Sequence, residues 1–204
     1  MAEMQLPTLR AYLERLPHGL RSYPDAQVKA SVVRSALSAL PAPGKIVTGH
    51  AQFDRWLADP PPVNEWVPHV YHSALLLAVY DTFFASEGTR TGFERWVLTR
   101  NRQLLSGPIY RVLFVVLKPR NLIEGAAKRW QAFRRGTHLE VLKCDDARCR
   151  VRVNYPPYLM EDLTLSALAM AFRAVAEAGG AQDAHAQAYE SSSTEAQFEV
   201  LWRW

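Results

Sequence analysis

The final third of the chain shows the clearest alternation of apolar and polar residues. Residues 137–144 and 147–155 alternate on either side of a short turn, and residues 184–190 and 197–204 alternate again. Between the two pairs, residues 162–178 are apolar at helical spacing and stop at two glycines. The pattern predicts two strands, a helix and two further strands, which form a small α+β unit.

The preceding part of the chain has a helical pattern throughout. The predicted helices cover residues 7–16, 26–40, 67–86, 92–105, 106–117 and 118–135, with one further turn around 53–57. Gly136 is a suitable stop for the last of them. Helices followed by a segregated antiparallel sheet predict an α+β layer fold, in which the N-terminal helices pack on a four-stranded antiparallel sheet.

A triple proline at residues 60–62 marks the best internal boundary. We therefore expect an N-terminal helical region over residues 1–62 and an α+β ligand-binding or partner-binding domain over 63–204, within one continuous core. No segment approaches the roughly 18 apolar residues that span a bilayer. The N-terminus is charged and amphipathic, unlike a secretory signal, so we expect a cytoplasmic protein.

Charge is unevenly distributed along the chain. The net charge is +4, yet residues 137–204 carry 6 basic and 10 acidic residues, and residues 90–136 carry 11 basic residues against two glutamates. This local excess favours an acidic partner, and the alternative is a solvated helix face that pairs with the acidic C-terminal unit. The candidate partner-binding residues are Arg120, Lys128, Arg129, Arg134 and Arg135.

Cys144 and Cys149 flank the turn between the first two predicted strands, so they can face each other across a hairpin. A disulfide and half of a metal site are both open. Two cysteines alone do not make a closed zinc site. We favour two thiols in a reducing compartment.

Few residues have the spacing of a catalytic or metal site. Glu65, His69 and His72 lie at i, i+4 and i+7, but Pro68 is a helix start, which favours a capping carboxylate and two ordinary histidines. Asp81 stands in an apolar helix, where a hydrogen-bonded structural acid is the usual interpretation. The zincin, phosphate-loop and nucleophile-elbow motifs are absent from the sequence.

Residues 111–141, 165–173, 178–181 and 198–202 resemble a larger superfamily. It contains the heme nitric-oxide-binding domains, the four-vinyl-reductase-like ligand-binding domains and small subunits of the TRAPP vesicle-tethering complex. A myxobacterial paralogous family of unknown function within it has the same length and ending. The resemblance covers roughly residues 107–204 and implies a ligand-binding or partner-binding module. The TRAPP-like group implies a homodimer.

Heme binding is the most specific function that the resemblance suggests, and the residues argue against it. The heme-binding relatives use an axial histidine on a helix before the sheet hairpin, but here no histidine lies between His72 and His138. They also hold the propionates with a Tyr-x-Ser-x-Arg motif. Tyr155 matches its first position, whereas Pro157 and Leu159 replace the serine and the arginine. We therefore predict no cofactor, with ligation by His72 in another geometry left open.

Together these patterns predict a non-catalytic sensory or scaffold module that acts as a dimer. It binds an apolar small ligand between helices and sheet, or a protein partner. The candidate pocket residues, for which the alternative is a place in the core, are Tyr80, Phe84, Phe114, Trp130 and Phe172.

Two other classes of function stay open. One is a basic adaptor without a cavity that docks on an acidic protein, a membrane surface or a nucleic acid. The helical spacing of the aromatic residues disfavours the nucleic acid, because such residues usually face a core. The other is an enzyme with a polar cleft around His69, His72 or Asp81.

Overall fold

The structure is a computed structural model that describes residues 6–42, 44–106 and 119–203. The described residues form seven α-helices, which are α1 (Pro7–Arg15), α2 (Ala30–Ser38), α3 (Ala51–Ala58), α4 (His69–Phe83), α5 (Thr91–Leu105), α6 (Pro119–Phe133) and α7 (Asp162–Ala178). They also form seven strands, which are β1 (Gln27–Lys29), β2 (Trp66–Pro68), β3 (Arg134–Arg135), β4 (His138–Cys144), β5 (Arg148–Asn154), β6 (Gln182–Ser191) and β7 (Glu195–Arg203).

The last four strands form one antiparallel sheet in the order β4-β5-β7-β6. Helix α7 connects β5 to β6, so the predicted order of two strands, a helix and two strands is confirmed. Its start is capped, because the Thr164 hydroxyl accepts a hydrogen bond from the Glu161 N–H at 2.7 Å. The α+β fold with helices on a four-stranded antiparallel sheet is therefore as predicted.

Alternation along these strands gives the sheet one apolar and one charged face. Val151 and Val153 of β5 are fully buried, and Phe198 of β7 packs against Phe172 of α7 with ring centroids 5.2 Å apart. On the other face, Arg150 and Glu199 form an ion pair at 3.0 Å. Helix α7 thus covers the apolar face, which removes it from water.

A second sheet was not predicted. It has three short strands in the order β2-β1-β3, with Val28 opposite both Val67 and Arg134. The helices predicted from residues 26 and 67 therefore begin later, at Ala30 and His69. The predictions were wrong at these ends because a strand of three residues is too short to show a period of two.

Gly136 brings the end of α6 close to β1. It has a φ of +66°, and a Cβ atom there would lie 2.7 Å from the Cα atom of Ala26. Only glycine tolerates both the left-handed backbone and this approach. Gly136 does not end the helix as predicted, because α6 stops at Phe133 and the two residues of strand β3 lie between them.

Helices α1 and α4 pack together through polar contacts as well as apolar ones. Asp81 Oδ2 accepts hydrogen bonds from the N–H groups of Thr8 and Leu9, each at 3.0 Å, at the start of α1. Asp81 is therefore a hydrogen-bonded structural acid, as predicted. The Tyr12 hydroxyl donates to the Leu159 carbonyl at 3.0 Å, which ties α1 to the loop that precedes α7.

Buried apolar residues form a cluster that runs from Leu6 to Trp202. The triple proline lies between α3 and β2 within this arrangement, and a domain boundary there stays a prediction. Residues 53–57 belong to an eight-residue helix, α3, and not to a single turn. The helix predicted over residues 106–117 lies outside the described residues. Within the described ranges, no helix has both the length and the apolar content needed to cross a membrane.

The two cysteines form a disulfide, which corrects the preference for free thiols. Cys144 of β4 and Cys149 of β5 are paired directly across the hairpin, with Cα atoms 4.1 Å apart. Asp145 holds the turn between them, because its Oδ1 accepts hydrogen bonds from the N–H groups of Ala147 and Arg148. The turn therefore places the two side chains opposite each other.

Candidate functional site

Four basic side chains come together inside the helical layer. His69 and His72 lie on α4, Arg100 lies on α5 and Arg134 lies on β3. His69, His72 and Arg100 are 1%, 5% and 6% exposed. Arg134 is half-buried, and its guanidinium faces inward. We call these four residues the basic cluster.

The three-stranded sheet positions two members of the basic cluster. Strand β1 lies between β2 and β3, and Arg134 pairs with Val28 of β1. His69 directly follows β2, and its backbone N–H donates to the Ala26 carbonyl at 2.8 Å. This arrangement places Arg134 Nη1 2.9 Å from His69 Nε2.

The contact between Arg134 and His69 determines which ring nitrogen of the histidine carries the proton. A guanidinium only donates hydrogen bonds, so Nε2 of His69 must accept and the ring proton must lie on Nδ1. That Nδ1 is buried, and no residue that the structure describes forms a hydrogen bond with it. Burial, and then the charge of Arg134, lower the pKa of His69 well below its usual value. His69 is therefore neutral at physiological pH.

His72 is one helical turn further along α4, with its ring centroid 5.9 Å from that of His69. Its Nε2 is buried and has no partner. Burial lowers the pKa of His72 well below its usual value, and the charges of Arg134 and Arg100 lower it further. The pKa of His72 therefore depends on both arginines as well as on burial.

Arg100 is the deepest charge in the cluster. Burial lowers the pKa of its guanidinium to about 10, and no carboxylate opposes that shift. Its Nε and Nη1 atoms are buried and have no hydrogen-bond partner among the described residues. Burial, and then the charge of Arg100, also lower the pKa of Arg134 to about 10. Both arginines remain charged at neutral pH.

Each of the two guanidinium groups also contacts an aromatic ring. Arg100 lies 5.5 Å from the ring centroid of Trp96, and Arg134 lies 5.0 Å from that of Trp130. Such contacts contribute about 0.5–2 kcal/mol. The lowered pKa of Arg100 corresponds to a burial cost of about 3 kcal/mol. The aromatic faces therefore offset only part of the cost, and the charge is left without a full partner.

The cluster does not suit a metal ion. In the part of the chain that the structure describes, no three His, Cys, Asp or Glu side chains come together to hold one. Glu65 is exposed and precedes β2, so it does not join His69 and His72. The two guanidinium charges would also repel a cation placed beside the imidazoles.

The site does not suit heme either. The Tyr155 hydroxyl already donates to the Ser192 carbonyl at 3.1 Å, and Leu159 is fully buried and brings no charge. Tyr155 and Leu159 therefore do not offer propionates the polar and cationic groups of that motif. The repulsion by Arg100 and Arg134 also opposes iron ligation by His72.

Four of the predicted pocket residues belong to the buried apolar cluster or pack against it. Tyr80 and Phe84 both contact Phe93 of α5, with ring centroids 5.7 Å and 6.0 Å away. Phe172 packs on the sheet. The Trp130 indole N–H donates to the Thr137 hydroxyl at 2.9 Å, and Phe114 lies outside the described residues.

The predicted partner-binding residues divide into two groups. Arg120, Lys128 and Arg129 are exposed on α6, and Arg120 forms an ion pair with Glu124 at 2.9 Å. Arg135 is exposed and lies 3.9 Å from the ring centroid of Trp66. Arg134 instead belongs to the basic cluster, because α6 ends at Phe133 and the backbone becomes extended.

Sequence reasoning missed Arg100. Its signal is its position on α5, since Phe93, Val97 and Arg100 are spaced at i, i+4 and i+7 and all three are buried. A charged residue on the apolar stripe of a helix needs a partner. The sequence alone showed it only as one member of a basic segment.

A shallow groove with a partly polar lining lies near the start of α7. It has a volume of about 390 Å³ and is lined in part by Arg90, Glu94 and Asp162. Arg90 and Asp162 form an exposed ion pair at 3.4 Å. Arg90 pairs with Asp162, and Glu94 accepts a hydrogen bond from Ser166 at 2.6 Å, so the charged groups of the groove already have partners within the chain.

The fold has clear relatives among solved structures. The chain superimposes on the Fe(II) unliganded H-NOX protein from K. algicida with a TM-score of 0.52 and 8% identity, over 86% of this chain and 97% of that one. A structure solved to probe heme distortion in the H-NOX family gives a TM-score of 0.56 and 10% identity, over 86% and 95% of the two chains. A Cs H-NOX mutant with an unnatural amino acid gives 0.53 and 8%, over 86% and 96%.

The protein has an H-NOX-like fold. No protein-family model and no curated protein matches the sequence. An H-NOX-like fold is also the fold that the resemblance of the C-terminal residues implies. At 8–10% identity the likeness concerns the fold alone, so the function has to be argued from the residues.

Proposed function

We propose that this protein is a non-catalytic sensory or scaffold module that takes up a small, largely apolar ligand within its helical layer. The basic cluster is the observation that carries the proposal. It places buried hydrogen-bonding groups without partners inside an apolar core, which costs stability unless something binds there. Proteins commonly tolerate that cost at sites of function.

The residues favour binding over catalysis. His69 and His72 are almost fully buried, so they do not line an open cleft. Asp81 is engaged by the start of α1. Neither a nucleophile nor a carboxylate base contacts the histidines in the described residues, and general acid–base chemistry requires such geometry. The H-NOX-like fold supports a ligand-binding role by analogy.

We also propose that the protein acts as a homodimer, as its resemblance to TRAPP small subunits implies, and that it functions in the cytoplasm. The same resemblance supports membership of the myxobacterial paralogous family. Exposed Lys128 and Arg129 on α6, with Arg120 and Arg135 nearby in sequence, are the proposed contacts for an acidic protein partner. Partner binding through these side chains should weaken as ionic strength rises, because salt screens exposed charges.

Native mass spectrometry of the purified protein tests the proposal. The mass under native conditions is compared with the mass after denaturation. A small molecule released on denaturation supports ligand binding and gives its size, and a mass of two chains supports the dimer. A bare single chain that no small apolar compound stabilises against heat contradicts both, and favours the basic adaptor.

A further inference from the structure

We infer that the basic cluster binds an oxyanion, a carboxylate or phosphate group, through Arg100 and Arg134 with a hydrogen bond from His69. The inference rests on the proposed function, because it assigns a chemical class to the polar end of the ligand. The apolar core around the cluster then accommodates the rest of the molecule.

The direction of the unmet hydrogen bonds supports an acceptor-rich occupant. Nε and Nη1 of Arg100 can only donate, and both lack partners. Nδ1 of His69 carries the proton, because Nε2 accepts from Arg134, and it also lacks a partner. In the part of the chain that the structure describes, these three buried donors therefore have no acceptor. Carboxylate and phosphate groups supply several acceptor oxygens and no competing donors.

The charge balance supports an anion. Two guanidinium groups give the cluster a charge of about +2, since both histidines are neutral. The acidic residues of the nearest helices are used elsewhere. Asp81 of α4 binds the start of α1, and Glu94 of α5 accepts a hydrogen bond from Ser166 at 2.6 Å. No carboxylate in the described residues pairs with Arg100 or Arg134.

The residues that the structure does not describe contain few acidic groups that could neutralise Arg100 and Arg134. Residues 107–118 contain one arginine, one lysine and no acidic residue. Among all the residues that the structure does not describe, Glu3 has the only acidic side chain. The neutralising charge is therefore expected from outside the chain, and Glu3 is the internal alternative that an experiment has to exclude.

The shape of the donor set favours a polyatomic anion over a halide. The unbonded donors lie on Arg100 and His69, with the Arg134 guanidinium 2.9 Å from His69. Donors on separate helices and a strand reach separate oxygen atoms more readily than one spherical ion. Planar guanidinium groups match the geometry of carboxylate and phosphate oxygens.

Isothermal titration calorimetry and thermal unfolding of the full chain test the inference with two probes, inorganic phosphate and octanoate. Chloride at equal ionic strength and uncharged octanol are the controls. Phosphate, octanoate or both should bind the wild type and raise its Tm, whereas chloride should not. The stronger probe indicates whether the natural group is a phosphate or a carboxylate on an apolar body.

Arg100→Met is the decisive variant, and Arg95→Met is its matched control. Arg95 lies on the same helix but is exposed, so both variants lose one charge. Arg95→Met should bind the probe like the wild type, and Arg100→Met should bind at least tenfold more weakly. Arg100→Lys retains the charge in case the methionine variant fails to fold, and it should bind with intermediate affinity.

Three outcomes overturn the inference. Equal binding by Arg100→Met and the wild type places the anion elsewhere. If Glu3→Gln lowers the free energy of unfolding as much as breaking a buried ion pair does, Glu3 is the internal partner of the arginines. Stabilisation by octanol but by neither anion removes the inference and leaves the proposed small-ligand function intact. That function fails separately if no probe binds and native mass spectrometry shows a bare chain.

Discussion

Nη1 of Arg134 lies 2.9 Å from Nε2 of His69, although 65 residues separate them in the sequence. The contact joins the strand that follows α6 to the first residue of α4, across the central strand β1. It commits the arginine to the interior and the histidine to its neutral form. Helix α4 and the three-stranded sheet thus meet at this contact. There the charge of Arg134 faces the interior, and no carboxylate of the described residues pairs with it.

The first prediction concerns acid stability. The pKa values of His69 and His72 are lowered in the folded protein, while an unfolded histidine titrates near 6.5. Below about pH 6.5 the unfolded chain therefore binds protons that the folded chain does not. The free energy of unfolding should fall with pH by up to about 1.4 kcal/mol per pH unit for each histidine.

Urea unfolding at pH 7.5, 6.5 and 5.5 measures this dependence. His72→Gln should remove about half of the loss between pH 6.5 and 5.5. His50→Gln is the control, because His50 is exposed at the surface. A wild-type free energy of unfolding that stays constant over this range would show that the two histidines are not held neutral.

The second prediction is that Arg100→Met stabilises the protein after dialysis has removed small molecules. Methionine fills a similar volume without a buried charge, so the free energy of unfolding should rise by roughly 1–3 kcal/mol. Urea unfolding measures the change, and Arg95→Met should stay within about 0.5 kcal/mol of the wild type. A large loss of stability in Arg100→Met would mean that an internal partner holds the arginine.

The third prediction concerns the turn at Gly136. Gly136→Ala should destabilise the protein, because a left-handed backbone costs a non-glycine residue about 1–2 kcal/mol and the new Cβ would meet the backbone of Ala26. Gly88→Ala is the matched control, since Gly88 has a φ of +67° and no atom near its added Cβ. Chemical denaturation should show the larger loss for Gly136→Ala, and equal losses would mean that the approach to Ala26 is unimportant.

The fourth prediction concerns the Cys144–Cys149 disulfide. Thiol titration in denaturant should find no free thiol before reduction and two afterwards. Reduction should lower the free energy of unfolding by about 2 kcal/mol, since the disulfide closes a loop of only a few residues. A Cys144→Ala/Cys149→Ala double variant should be insensitive to reductant. Two free thiols in freshly purified protein would restore the interpretation that the sequence first favoured.

Long periodic elements could be predicted from the sequence because their signal is local. Helix α7 begins and ends at the predicted residues 162 and 178. Its extent could be predicted because apolar residues recur at helical spacing over seventeen residues and two glycines follow. The hairpin strands β4 and β5 follow from alternation and from the turn that Asp145 supports. These patterns also determined the α+β architecture.

The tertiary structure alone decided what the basic residues do. Strands β1, β2 and β3 contain two or three residues each, which is too few to show an alternating pattern in the sequence. They form because β2 and β3, which are distant in the sequence, pair with β1 in the folded protein. Arg134 was predicted to face a partner, yet the extended backbone after Phe133 turns it towards His69. Whether an arginine is buried depends on distant segments packing over it, and for Arg100 and Arg134 that packing produced the candidate site.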